Sequence, residues 1–195
     1  MRPVLFLLVF LIGSGALPGS PTDAATPAIR DIGGESVRPF ETGGAASLVF
    51  FVCTDCPISN GYAPEIGRIC TEYRARRVAC TLVYEDADIK ADAVRRHLTE
   101  YGYTNLVAAI DRGRTIARYA RATVTPTAVL VDARGAIRYR GRIDNKYAAL
   151  GKPRQQITEH NLTDALNAVL SGAPVANPET KTWGCFIADP ELLRK

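Results

Sequence analysis

The stretch Ser47-Leu48-Val49-Phe50-Phe51-Val52-Cys53-Thr54-Asp55-Cys56-Pro57-Ile58-Ser59-Asn60 constrains this chain more than any other. Leu48 to Val52 is an uninterrupted apolar run, rich in β-branched and aromatic residues, and it predicts a buried strand. Pro57 suits the first turn of a helix, where a missing N–H costs nothing. Cys53-Thr54-Asp55-Cys56 therefore falls between the end of a strand and the start of a helix. In an open α/β sheet that junction is where ligands bind, and helix-terminal N–H groups there favour a thiolate.

A C-x-x-C at such a junction, near a βαβ pattern, is a redox signal with a mechanism. One thiolate attacks a partner disulfide and the other resolves the mixed disulfide. On the residues we expect Cys53 to attack and Cys56 to resolve. Asp55 between them works against thiolate formation, because a negative neighbour disfavours the charged form. An inert structural disulfide and a metal site are the competing readings. The metal site is poorly supplied, because the chain has no second C-x-x-C and its two histidines are His97 and His160.

The rest of the chain supplies the elements of an α/β domain. Ile29 to Val37 predicts an edge hairpin around Gly33-Gly34. Ala63 to Arg76 has helical spacing, with Ile66, Cys70 and Tyr73 on one face. Val78 to Tyr84 predicts a second buried strand, Ile89 to Tyr101 a helix, Leu106 to Ile110 a strand and Gly113 to Tyr119 a short helix. Thr127 to Asp132 predicts a strand that turns at Ala133-Arg134-Gly135 and returns along Ala136 to Arg140. Residues 141–160 read as polar and irregular. Asn161 or Thr163 caps a last helix ending near Leu170. Parallel crossovers followed by an antiparallel hairpin predict a mixed sheet flanked by helices on both faces.

Four regions follow. Residues 1–16 read as a signal peptide: Arg2 gives the positive start, Val4 to Ile12 the apolar segment, and Ser14-Gly15-Ala16 a small-residue cleavage site. That apolar segment is about half the length of a membrane span, so no stable span is expected. Residues 17–28 are a linker, 29–171 the domain, and 172–195 a tail that packs on it. The expected location is outside the cytosol, periplasmic or extracellular, where cysteines form disulfides. The net charge of +4, without a basic tract, gives no reason to expect nucleic acid as a partner.

Five cysteines are an odd number, so one stays free or pairs between chains. Cys70 and Cys80 read as buried structural thiols, with a mutual disulfide the alternative. Cys185 in Lys181-Thr182-Trp183-Gly184-Cys185 either helps Trp183 pin the tail or brings an extra resolving thiol to Cys56. His97, among Arg95, Arg96 and Glu100, reads as a surface residue.

Cys53 and Cys56, together with Val124-Thr125-Pro126 leading into Thr127 to Asp132, make residues 30–171 resemble the thioredoxin-like superfamily. The phrases Cys56-Pro57-Ile58-Ser59-Asn60, Tyr139 to Asp144 and Gly184-Cys185-Phe186-Ile187 are similar to its secreted redoxin branch, related to alkyl hydroperoxide reductases. The resemblance implies a thioredoxin-like α/β fold. It also implies a cis proline at Pro126 opposite the cysteines, with the Thr125 backbone as the edge on which a partner docks. On the residues alone a trans proline opening an edge strand is expected there. The chain departs from the thioredoxin pattern at Val52, where tryptophan is usual, at Thr54-Asp55, and at Ser47, where the family's buried acid falls.

The function expected is an exported thiol–disulfide oxidoreductase that needs no cofactor beyond its cysteines, with protein or small-molecule thiols and disulfides as partners. One alternative is a thiol peroxidase in which Cys56 attacks a peroxide and Cys53 or Cys185 resolves the sulfenic acid. Another is a non-catalytic thioredoxin-like binding module, holding monovalent copper between Cys53 and Cys56.

Overall fold

The computed structural model describes residues 26–86, 88–103 and 105–188. The expected signal peptide, residues 1–16, and the linker up to residue 25 lie outside the described residues. A hairpin of β1 (Ile29–Arg30) and β2 (Ser36–Val37) precedes β3 (Ala46–Val52), and all seven residues of β3 are buried. Successive side chains of a strand point to opposite faces. Leu48, Phe50 and Val52 accordingly enter one apolar cluster, and Val49 and Phe51 enter the other. A strand buried on both faces must lie inside a sheet covered on both sides.

The chain then runs through α1 (Pro57–Gly61), α2 (Ala63–Arg74), β4 (Val78–Tyr84), α3 (Ala91–Glu100), β5 (Val107–Ile110) and α4 (Thr115–Ala120). It continues through β6 (Val124–Thr125), β7 (Thr127–Asp132), β8 (Ile137–Gly141), β9 (Tyr147–Ala149), β10 (Lys152–Pro153), α5 (Asn161–Leu170) and β11 (Cys185–Phe186). The main sheet has the order β5-β4-β3-β7-β8. β3, β4 and β5 run parallel, while β7 is antiparallel to both β3 and β8. Ile66, Ile69 and Tyr73 of α2 and Leu162 and Leu166 of α5 pack on the face of Phe50. Ile116, Ala117 and Ala120 of α4 pack on the face of Phe51. This is the mixed sheet with helices on both faces that the sequence predicts.

Four local expectations are corrected. Cys70 and Cys80 are not two free thiols. They form a disulfide between α2 and the neighbouring β4, with Cα atoms 5.9 Å apart. Closing a loop of sequence separation 10 stabilises the fold by about 3 kcal/mol in the chain-entropy picture. His97 is not a surface residue: it is 6% exposed and packs between rings of Tyr84, Tyr101 and Tyr103. Within residues 141–160, β9 and β10 form a small antiparallel hairpin. The cap of α5 is His160, without a side-chain cap bond, and Asn161 Oδ1 accepts instead from Arg142 Nε at 2.7 Å.

The tail returns along the domain. Arg140 N donates to Pro178 O at 2.9 Å, Thr180 N donates to Arg140 O at 3.1 Å, and Thr180 Oγ1 pairs with Tyr139 OH at 2.6 Å. β11 then pairs antiparallel with β6, Cys185 opposite Thr125 and Phe186 opposite Val124. Ile187 is buried in the α4-side cluster, and Arg114 Nε donates to Ala188 O at 3.1 Å.

Candidate redox site

β3 ends at Val52, and the chain turns at once so that Cys56 N–H reaches back to Cys53 O at 3.4 Å. Cys56 becomes the N-cap of α1, with Pro57 at the helix start. The Thr125–Pro126 peptide bond is cis, as the resemblance implied, and Thr125 O lies 3.3 Å from Cys56 Sγ. The parallel crossovers and the cis turn thus bring the cysteines and Thr125-Pro126 to one end of the sheet.

The two thiols sit in opposite environments. Cys53 is half-buried, and its Sγ donates to Asp86 Oδ1 at 3.1 Å. The same carboxylate accepts from Thr54 N, at 3.2 Å to each oxygen, and from Thr54 Oγ1 at 2.8 Å. Burial, the hydrogen bond to Asp86 and the Asp86 charge together push the Cys53 thiol up to about 12. A thiolate there would lose solvent and face a carboxylate.

Cys56 is 0% exposed, and burial alone would raise its thiol. Hydrogen bonds outweigh it and hold Cys56 below the ordinary thiol range: the Cys185 thiol and backbone N–H face its sulfur, as does the Ser59 N–H at 3.4 Å. Ser59 Oγ, buried and without another partner, is a further donor beside the sulfur. Cys185 is correspondingly pushed up to about 11 by burial and by its bond to Cys56. Cys56 Sγ has one neutral acceptor, Thr125 O at 3.3 Å, against several donors, whereas Cys53 faces the Asp86 carboxylate, and this balance makes Cys56 the better thiolate. This polarity runs against the expectation from the sequence that Cys53 attacks.

A buried hydrogen-bond chain holds the turn between the cysteines. Asn60 Nδ2 donates to Thr54 O at 2.7 Å, so Asn60 Oδ1 is left as an acceptor for His97 Nε2 at 3.0 Å. His97 Nδ1 then accepts from Tyr84 OH at 2.9 Å. Burial lowers the His97 pKa, which keeps the ring neutral and suited to donate on one side and accept on the other. His97 is thus a positioning residue two hydrogen bonds away from the redox turn.

Asp55 is exposed, and its backbone N–H eases the Cys53 thiolate, so the negative neighbour is Asp86. Ser47 is buried and donates to Pro39 O at 2.6 Å, so no acid occupies that place. Arg142 bonds Glu159 and Asn161, and Asp144 accepts from Tyr62 OH and Lys146 N, which gives both structural partners. Asp86 is the residue that sequence reasoning missed. Its signal was register: Val52 pairs with Tyr84 in a parallel ladder, so the residues following each strand become neighbours.

No protein-family model matches the chain, and no curated protein matches it. Solved structures do resemble it. An uncharacterized conserved protein from Geobacillus kaustophilus is 22% identical with a TM-score of 0.74, over 87% of this chain and 93% of that one. A secreted Mycobacterium tuberculosis disulfide oxidoreductase, described as homologous to Escherichia coli DsbE, is 15% identical with a TM-score of 0.53, over 75% and 96%. A thioredoxin-like protein from Aeropyrum pernix is 15% identical with a TM-score of 0.55, over 76% and 89%. The fold of this chain is therefore thioredoxin-like.

Proposed function

We propose that the chain is an exported thiol–disulfide oxidoreductase that works through Cys53 and Cys56, with Cys56 as the attacking thiolate. The observation that carries this reading is the polarity of the pair: hydrogen-bond donors converge on Cys56 Sγ, while Asp86 holds the proton on Cys53. Export is supported by the apolar segment Val4 to Ile12 and by the Cys70–Cys80 disulfide, which suits an oxidising compartment. Among the described residues no helix is long and apolar enough to cross a membrane. The disulfide oxidoreductase activity named for the Mycobacterium tuberculosis neighbour points the same way.

The chemistry runs in two steps. The Cys56 thiolate attacks one sulfur of a partner disulfide, forms a mixed disulfide and releases the other partner sulfur as a thiolate. Cys53 Sγ then attacks Cys56 Sγ and releases the second partner thiolate, leaving a Cys53–Cys56 disulfide. The Cys53 proton passes to Asp86, which already accepts it at 3.1 Å. The Thr125 backbone beside Pro126 is the edge on which the partner chain aligns.

The test is a trapping experiment with a small disulfide-bonded protein as substrate. In a Cys185→Ala background, which removes the tail thiol that also faces Cys56, Cys53→Ser retains Cys56 without a resolving thiol, so the mixed disulfide accumulates and mass spectrometry finds it on Cys56. Accumulation on Cys53 when Cys56→Ser is made in the same background, with none for Cys53→Ser, would return the leading role to Cys53.

A further inference from the structure

The docking edge is already occupied. β11 lies antiparallel on β6, with Cys185 opposite Thr125, immediately before the cis Pro126. The Cys185 thiol and backbone N–H both face Cys56 Sγ. Gly184 makes this fit possible: a Cβ at that position would sit 1.8 Å from Thr125 O and 2.6 Å from the Thr125 carbonyl carbon. No side chain can be accommodated there while the strand stays seated.

The tail is fastened on both sides of this contact. Upstream, Lys181 Nζ lies 3.9 Å from the centroid of the Trp183 ring, and Trp183 lines a small crevice beside Pro126 and Tyr62. Downstream, Ile187 is buried, its N–H bonds Thr123 O at 2.9 Å, and Ala188 O accepts from Arg114. Arg114 is itself held in a buried pair with Glu85 at 2.9 Å. Phe186, between these anchors, is 87% exposed. The segment therefore presents one thiol inward to Cys56 and one aromatic ring outward.

We propose, building on the exchange reading above, that Gly184-Cys185 is a tethered substrate strand and that Cys185 is the first thiol to exchange with Cys56. In the oxidised pair, Cys185 as a thiolate attacks Cys56 Sγ. The Cys53–Cys56 bond breaks, the Cys56–Cys185 bond forms, and Cys53 takes up the proton that Cys185 gave up. The oxidation level does not change, so the step needs no further oxidant. Its direction at equilibrium follows from the site: the released Cys53 thiol regains the hydrogen bond to Asp86 Oδ1 at 3.1 Å, which a disulfide sulfur has no proton to make. The half-buried Cys185 sulfur then becomes the entry point for an outside thiol. A partner strand that displaces the tail must match it, with glycine directly before its reacting cysteine.

The test oxidises the full chain with stoichiometric diamide, which takes two electrons and two protons from a pair of thiols, and maps the disulfides by mass spectrometry. The expected product in the wild type is mainly Cys56–Cys185, with Cys53 free to alkylate. Cys185→Ala removes the tail thiol but leaves the strand's backbone in place, and it should carry Cys53–Cys56. Gly184→Ala should lift the strand, shift the ratio toward Cys53–Cys56 by at least about tenfold, and change the fluorescence of Trp183, the single tryptophan. A wild type that carries mainly Cys53–Cys56 overturns the tethered-strand proposal and leaves the exchange reading standing. A wild type with no disulfide among these three thiols overturns both.

Discussion

Replacing Cys56 by serine lowers the rate of exchange with a partner disulfide by at least about 10³-fold, the scale on which removing a nucleophile acts. The thiolate is the attacking species, and a serine hydroxyl stays protonated at neutral pH. The donors that stabilise negative charge at this position, Ser59 N–H and Cys185, are arranged around the sulfur of residue 56 and around no other. Cys53 does not take over. It is half-buried against Asp86, its thiol is pushed up to about 12, and its thiolate fraction near neutrality is correspondingly minute. Cys53→Ser combined with Cys185→Ala, which leaves no second thiol facing Cys56, has a different outcome: the first attack proceeds and release of the second partner thiol fails. Stopped-flow exchange with an aromatic disulfide, in single and multiple turnover, separates the two variants.

Asp86→Asn makes Cys53 more reactive toward alkylation. The substitution removes a carboxylate that accepts the thiol proton at 3.1 Å and repels the thiolate. The Cys53 pKa falls as a result, although burial, the largest cause of its elevation, remains. Each unit of decrease raises the thiolate fraction about tenfold at any pH well below the pKa. Iodoacetamide labelling of Cys53 at about pH 8 should therefore accelerate by at least about tenfold. The sign would be opposite if Asp86 were an N-cap or surface partner with no influence on the sulfur: labelling would stay unchanged or slow. Resolution of the mixed disulfide should also acquire a steeper dependence on pH, because solvent must then take the proton that Asp86 accepts in the wild type.

Much of this architecture can be read from single residues. An apolar run that stays buried on both faces, such as Leu48 to Val52, belongs in the middle of a sheet, and it lies there. The C-x-x-C falls at the strand-to-helix turn because Pro57 fits the first helical turn and little else. What stayed hidden depends on contacts between segments. Asp86 reaches Cys53 only through the register of two parallel strands, and its acidity is indistinguishable in sequence from that of Asp55, which faces solvent. His97 is surrounded in sequence by charges, but Val94 and His97 share a helix face at a spacing of three, and that face is buried. The Cys70–Cys80 bridge requires the distance between a helix and the neighbouring strand, which no spacing rule supplies. The two-residue strand at Cys185–Phe186 carries no periodicity at all, and only its pairing with Thr125 reveals it.

The central claim is that this redox pair is polarised, with its negative charge on Cys56. A pH titration of ultraviolet thiolate absorbance on the reduced protein, with each cysteine of the site replaced in turn by serine, tests it most directly. The account predicts a step below the ordinary thiol range that survives Cys53→Ser and disappears in Cys56→Ser. A step that survives Cys56→Ser and disappears in Cys53→Ser would contradict it.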